Sequence, residues 1–233
     1  MDGIILAGGV GRRMRPLTFN TPKPLLALQD RPILAWSLLS LRDIVDRVLV
    51  VVHYLKAQIA EYMAQQTFFT DYVLVEQSPA PLGTGHALQC CRDILKTDEF
   101  VVVNGDDLYG KESLRQLSQQ SFGILAAMRA DYHRYGVILQ NEAGGFRAID
   151  EKPPPGAYPG PAACSIGAYK LRSEVFDYRL QKSGRGELEL TDAITAVAAE
   201  REVAIVDSPF WLPIGDRAAL AAAQDIDIAR WIY

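Results

Sequence analysis

The stretch "GIILAGGVGRRMRPLTFNTPKPL", Gly3 to Leu25, decides how the rest of the chain is read. A short apolar run, Gly3 to Ala7, has the composition of a strand buried on both faces, without polar alternation. It is followed by three glycines (Gly8, Gly9, Gly11), four cations (Arg12, Arg13, Arg15, Lys23) and three prolines (Pro16, Pro22, Pro24), with no acid among them. Glycines let backbone amides face outward and prolines fix φ, so the loop holds a shape. A rigid cationic loop at a strand end is a preorganised anion site. A dinucleotide fingerprint fits poorly, because Met14 stands where the third glycine belongs. A P-loop is excluded, because no Gly-Lys-Ser/Thr follows.

Working outward, "RVLVVV" (47–52), "DYVLVEQ" (71–77) and "EFVVVNGD" (99–106) repeat the β-branched pattern. Amphipathic segments near 31–41, 55–65 and 85–95 lie between them. Strands alternating with helices predict βαβ units and a parallel sheet, whose strand C-terminal ends share one ligand-binding edge. Beyond residue 121 the pattern turns to mixed strands and a turn-rich "GGFRAIDEKPPPGAYPGP", then helices near 173–180 and 187–200, a strand at 203–207 and a closing helix from Asp216. A helix is also expected from Tyr109, with Asp107 as its N-cap. The expected fold is α/β, Rossmann-like, with a mixed, mostly parallel central sheet flanked by helices and a small extra β subregion. A single domain is expected over 1–233, with a first half (1–120) and a second half (121–233).

Composition narrows the partners. The chain has 233 residues, 49% hydrophobic and 22% charged, with 28 acids against 24 bases. This is an ordinary globular balance, and the slight acidity argues against a general nucleic-acid surface. No apolar run approaches the roughly 18 residues of a membrane span, and the start "MDGIILAGG" is no signal peptide. Three cysteines without a CxxC suit a reducing compartment. A cytoplasmic protein without membrane or nucleic-acid partners is the expectation, and homo-oligomer formation is left open.

The loop "LAGGVGRRMRPLT…PKPLL" resembles the signature of the sugar-1-phosphate nucleotidylyltransferases, the nucleoside-diphosphate-sugar pyrophosphorylases. "EQSPAPLGTGHAL" (76–88), "VVNGDDLYG" (102–110), "YGVI" (135–138), "IDEKP" (149–153), "SIGAYKL" (165–171), "GRGELELTDAI" (184–194) and "FWLPIGDRAAL" (210–220) follow in that family's order over nearly the whole chain. "RGELELTD" is most similar to glucose-1-phosphate thymidylyltransferases. The resemblance implies attack by a sugar-1-phosphate oxygen on the α-phosphorus of a nucleoside triphosphate, with Mg²⁺ as cofactor and pyrophosphate released.

Residue by residue, the resemblance implies catalytic roles for Arg13, Lys23, Asp106 and Lys152. Arg13 would lie on the β- and γ-phosphates, Lys23 would be a second transition-state cation, and Lys152 would neutralise the sugar phosphate or α-phosphate. Leu6, Ala7, Gly8, Gly9, Gly11 and Arg12 would cradle the nucleotide, although Arg12 reads equally as a solvated side chain. Gln77, Gly83 and Thr84 would form the base site. Gln77 suits uracil or thymine, since its amide offers one acceptor and one donor, and Gly83 would let backbone groups approach the base. Gly136, Glu151, Ser165 and Glu187 or Glu189 would contact the sugar. Ser165 stands where many members carry Asn.

Asp106 is the expected Mg²⁺ ligand, a carboxylate at a parallel-strand end. The last motif departs from the family pattern Trp-x-Asp-x-Gly-Thr. The chain reads Trp211-Leu212-Pro213-Ile214-Gly215-Asp216, so Pro213 replaces the second metal-binding Asp. Asp216 is a good helix N-cap. Three readings are open: Mg²⁺ held by Asp106, water and phosphates; Asp216 or Asp107 taking the vacant place; or lost activity. The rival functions are a cytidylyltransferase for a small phosphorylated alcohol such as phosphocholine, and a non-catalytic nucleotide- or sugar-phosphate-binding regulator.

Overall fold

The computed structural model describes residues 1–184 and 186–233. Arg185, in the 184–194 motif, lies outside the described residues. The strands are β1 (Asp2–Leu6), β2 (Ala27–Leu28), β3 (Arg31–Pro32), β4 (Arg47–Val52), β5 (Tyr72–Glu76), β6 (Glu99–Asn104), β7 (Asp107–Tyr109), β8 (Gly123–Arg129), β9 (Gly136–Gln140), β10 (Phe146–Glu151), β11 (Ala162–Arg172), β12 (Ala204–Asp207) and β13 (Trp211–Pro213). The α-helices are α1 (Ile33–Leu41), α2 (Lys56–Gln65), α3 (Thr84–Gln89), α4 (Lys111–Ser118), α5 (Leu190–Ala198), α6 (Arg217–Ala223) and α7 (Ala229–Ile232).

Nine strands form one sheet in the order β10-β9-β11-β6-β1-β4-β5, with β8 and β12 continuing from β11. The pairs of β1 with β4 and β6, and of β4 with β5, are parallel. The second half joins antiparallel through β11 against β6. The fold is therefore mixed α/β, with a parallel half built from βαβ units. β1, β4 and β6 are almost wholly buried, with the edge strand β5 half-buried, because both faces carry helices: Ile4, Leu49 and Val102 face the cluster that holds Leu88 and Ile194, while Ile5, Val50 and Val103 face the one that holds Leu38, Ile59 and Leu114. A third cluster, around Met14, Trp36, Phe210 and Ile214, packs the loop after β1 against the C-terminal segment.

Several expected elements change form. The segment from Asp107 is not a capped helix. It is the short strand β7, paired with β13, and α4 starts only at Lys111 behind Gly110. The helix expected near 173–180 is a 3₁₀ turn, Ser173–Asp177, and the one expected over 85–95 is α3 followed by a 3₁₀ turn, Arg92–Ile94. The helix expected over 187–200 shortens to α5. Periodicity locates these segments, but packing on the neighbouring sheet sets where each stops. Among the described residues no helix is long and apolar enough to cross a membrane.

The register of β11 shifts between Ser165 and Tyr169, and Gly167 sits in that irregularity at φ +79°. A Cβ at Gly167 would lie 2.0 Å from Nδ2 of Asn104. Gly167→Ala is expected to destabilise the fold by about 1–2 kcal/mol from the left-handed backbone alone, and further by displacing Asn104. A lowered urea midpoint with an unchanged m-value checks this.

Candidate active site

The parallel strand ends place the loop after β1 and the end of β6 side by side, with the Gly105 amide donating to the Leu6 carbonyl at 2.9 Å. They open onto a cleft of 1460 Å³ lined by residues of both halves of the chain. Leu6, Ala7, Gly8, Gly9, Gly11, Arg12 and Arg13 form one wall. Gly11 adopts φ +65° to start the 3₁₀ turn Arg12–Met14, and its carbonyl accepts from the Met14 amide (2.9 Å) and the Thr18 hydroxyl (2.8 Å). A Cβ there would lie 3.2 Å from Cβ of Lys23, so the turn and the Pro-Lys-Pro segment are packed together. Arg12 and Arg13 are both exposed. The Arg13 guanidinium lies beside Gly215, in the middle of the last motif.

Lys23 is buried, and its Nζ contacts Oδ2 of Asp106 at 2.5 Å. Asp106 keeps part of its carboxylate exposed to the cleft. Asp107 beside it is buried, accepting from Nδ2 of Asn104 (3.2 Å) and the Tyr109 hydroxyl (3.4 Å). Burial pushes its carboxyl up, the Asp106 charge adds to this, and Asn104, Lys23 and Trp211 oppose it. Pro213 faces Asp107 directly across the β7–β13 ladder. Asp216 caps α6, accepting from the Ala219 amide at 2.9 Å. That bond holds its carboxyl below the usual range, helped by the charges of Arg134 and Arg13.

Among the described residues no group of three or more His, Cys, Asp or Glu is arranged to hold a metal. Mg²⁺ needs only one or two carboxylates when substrate phosphates complete its shell, and the partly open Asp106 carboxylate beside a phosphate-sized cationic wall suits that chemistry.

Gln77, Gly83 and Thr84 line the same cleft. Gln77 is buried just after β5. Its side-chain nitrogen donates to the Gly83 carbonyl at 2.8 Å. Its Oε1 lies against Gly8, where a Cβ would come within 3.0 Å of it. Gly83 has φ +104°, and a Cβ would sit 2.4 Å from the Leu188 carbonyl oxygen. The glycine thus admits the backbone before α5 while lining the cleft. The Leu188 amide donates to Leu82 O, its carbonyl accepts from Gly85 N (both 2.8 Å), and Thr84 Oγ1 accepts from Leu190 N at 3.0 Å. These bonds clasp the two halves together.

On the opposite wall, Gly136 lies beneath Glu151, where a Cβ would be 2.9 Å from Oε2. Lys152 holds a left-handed φ of +50°, and its amide donates to Tyr135 O at 3.0 Å. Such a backbone is unusual for a residue with a side chain and accompanies functional positions. Nζ of Lys152 lies 3.9 Å from Glu151. Ser165 is buried, its hydroxyl 3.1 Å from that of Tyr169. Glu189 accepts from Ser183 Oγ at 3.1 Å, and Glu187 and Glu189 both line the cleft.

The structure brings every sequence-predicted site residue to this one cleft. It adds a group that the sequence reading passed over. Arg129 lies 5.5 Å from the ring centres of both Tyr135 and Trp211, whose rings meet edge-on at 5.0 Å, and Arg129 shares Asp131 with Arg134. The motifs "YGVI" and "FWLPIG" hold its aromatic members, but Arg129 comes from a strand with no motif of its own.

Comparison with known proteins agrees with this architecture. Residues 2–229 match the nucleotidyl transferase family. The chain is 31% identical over 218 residues to the bifunctional protein GlmU of Methanocaldococcus jannaschii, covering 92% of this chain and 51% of that protein. It is 28% identical to a bifunctional sugar-1-phosphate nucleotidylyltransferase/acetyltransferase of Sulfurisphaera tokodaii, over 99% of this chain and 55% of that one. The chain therefore spans about half the length of these relatives. A Bacillus anthracis protein assigned as a glucose-1-phosphate thymidylyltransferase, solved in complex with a sucrose, superposes with a TM-score of 0.80 at 27% identity, covering 97% of this chain and 96% of that one. Fold, cleft and likeness together establish that this chain belongs to the nucleotidyl transferase family.

Proposed function

We propose that the chain transfers a nucleotidyl group from dTTP or UTP to a sugar-1-phosphate, a hexose-1-phosphate in the first instance, giving an NDP-sugar and pyrophosphate. The observation that carries this reading is one cleft with the Arg13 loop and the Lys23–Asp106 pair on one wall and Glu151–Lys152 on the other. Both reactants are anions, so the barrier is dominated by charge repulsion and misalignment. An oxygen of the acceptor phosphate attacks the α-phosphorus as the bond from that phosphorus to the bridging oxygen breaks. Arg13 takes up charge on the departing pyrophosphate, Lys23 lies toward the phosphates beside Asp106, and Lys152 neutralises the acceptor phosphate. Asp106 would hold Mg²⁺, which supplies charge neutralisation and phosphate orientation when bound. Glu151, with Gly136, Ser165, Glu187 and Glu189, would hydrogen-bond the sugar hydroxyls.

The Gln77 amide supports a uracil or thymine base. With its nitrogen committed to Gly83 O, the oxygen remains for the base. An acceptor there matches the N3–H of uracil and thymine and opposes the bare N3 of cytosine. This weighs against the cytidylyltransferase reading. The complete phosphate-binding set weighs against a non-catalytic regulator.

Three outcomes test the proposal. Asp106→Asn is expected to lower kcat/KM by about 10²-fold or more while circular dichroism and melting stay near wild type, and EDTA should abolish pyrophosphate release. Lys152→Met should raise KM for the sugar phosphate about 10-fold or more, leaving KM for the triphosphate nearly unchanged. UTP or dTTP should be used about 10- to 100-fold more efficiently than CTP, the cost of one mismatched buried acceptor. A panel of triphosphates and sugar-1-phosphates without any pyrophosphate release would hand the case to the binding-only reading.

A further inference from the structure

We infer that His86 is a positioning residue for base selection, because its ring nitrogen and the Gly83 carbonyl together take both N–H bonds of the Gln77 amide. The inference rests on the proposal that Gln77 reads the base. Gln77 is held from every side. Its backbone amide donates to Val52 O, and its carbonyl accepts from Nδ1 of His53, both at 2.9 Å. Its side-chain nitrogen lies 2.8 Å from Gly83 O and 3.3 Å from Nδ1 of His86. A primary amide nitrogen has two protons and no lone pair to offer, so Nδ1 of His86 must be the acceptor. The His86 proton then sits on Nε2, which lies 3.9 Å from Sγ of Cys90, one turn further along the chain. Oε1 has no hydrogen-bond partner among the described residues and faces the Gly8 end of the cleft.

The amide could otherwise turn over. Its two ends are nearly equal in size, and a turned amide would offer N–H to the base and so favour cytosine. Against Gly83 O alone, a turned amide loses one hydrogen bond. Against Gly83 O and His86 it must also drive the imidazole proton from Nε2, where it lies near Cys90 Sγ, to Nδ1, so the turned amide carries a second cost. His86 can do this because α3 is itself fixed. The Gly85 amide is bound to Leu188 O at 2.8 Å, and a Cβ on Gly85 would lie 3.0 Å from the Glu189 backbone, so the start of α3 is seated directly on the segment before α5. The clasp between the two halves thereby reaches the base through one imidazole.

The test compares the full-length wild type with His86→Ala, His86→Asn and Gln77→Ala. Kd for UTP and for CTP and kcat/KM for both are measured at a fixed sugar-1-phosphate. His86→Ala should lower the preference for UTP over CTP about 10-fold, one hydrogen bond's worth, through nucleotide Kd and KM, with kcat and acceptor KM kept. His86→Asn places an oxygen at the position of Nδ1 and should restore most of the preference. His86→Met fills the ring's space without an acceptor and replaces the alanine variant if that one does not fold. Unchanged selectivity without the imidazole, alongside lost selectivity in Gln77→Ala, overturns the role of His86 alone. Unchanged selectivity in both overturns the Gln77 reading as well. Equal losses in His86→Ala and His86→Asn, spread over nucleotide and acceptor alike, would make His86 a purely structural residue and overturn the inference.

Discussion

The contact on which the site depends joins the ends of two parallel strands, where the Gly105 amide meets the Leu6 carbonyl. A Cβ at Gly105 would lie 2.8 Å from that oxygen, so only glycine allows the approach. Parallel strands linked by right-handed crossovers finish on one edge, which brings a loop from residue 8 beside a carboxylate at residue 106. The Arg12–Arg13 loop and Lys23 then lie on one side of the strand ends with Asp106 and Asp107 at their border, and Lys152 stands on the far wall. The sheet is the means by which unlike charges from distant segments come within contact distance of one another.

Charge balance at that border is tight. Lys23 is buried against Asp106, and Asp107 is buried next to both. A buried carboxylate beside another carboxylate favours its neutral form, and the hydrogen bonds from Asn104 and Tyr109 hold it in place. Pro213, opposite Asp107 across the ladder, adds no third carboxylate to this crowded corner. With β7 paired to β13, Asp107 belongs to the wall of the cleft, not to a helix cap. Asp216, by contrast, is committed to the first turn of α6.

The second constraint is the clasp at Gly83, Thr84 and Gly85, where backbone from residues 187–190 runs through space that only glycine leaves. It ties the Gln77 amide, proposed to read the base, to the elements proposed to meet the sugar. The left-handed Lys152 at the far wall shows the same economy, since a turned backbone anchored to Tyr135 sets where its ammonium group lies.

Much of this was legible in the sequence. β-branched runs without polar alternation marked the buried parallel strands, and the acid-free Gly-Arg-Pro loop marked a wall of the cleft, because these properties reside in consecutive residues. The motifs named Arg13, Lys23, Gln77, Asp106 and Lys152 as members of one site. What local pattern could not carry was decided by contacts between distant segments. The strand at Asp107 forms only because Trp211–Pro213 pairs with it, and the 3₁₀ turn at Ser173 replaces a helix. Arg129 joins the aromatic pair of Tyr135 and Trp211 only when β8, β13 and the turn before β9 assemble. The packing of Leu188 against Gly83, which also lines the cleft, is invisible until the two segments are seen together. Sequence alone determined the chemistry of the loop and the class of the fold, because both follow from residue type and period. The tertiary structure alone decided which way Gln77 presents its amide, because that depends on a carbonyl six residues on and an imidazole nine residues on, brought to the same side chain by α3.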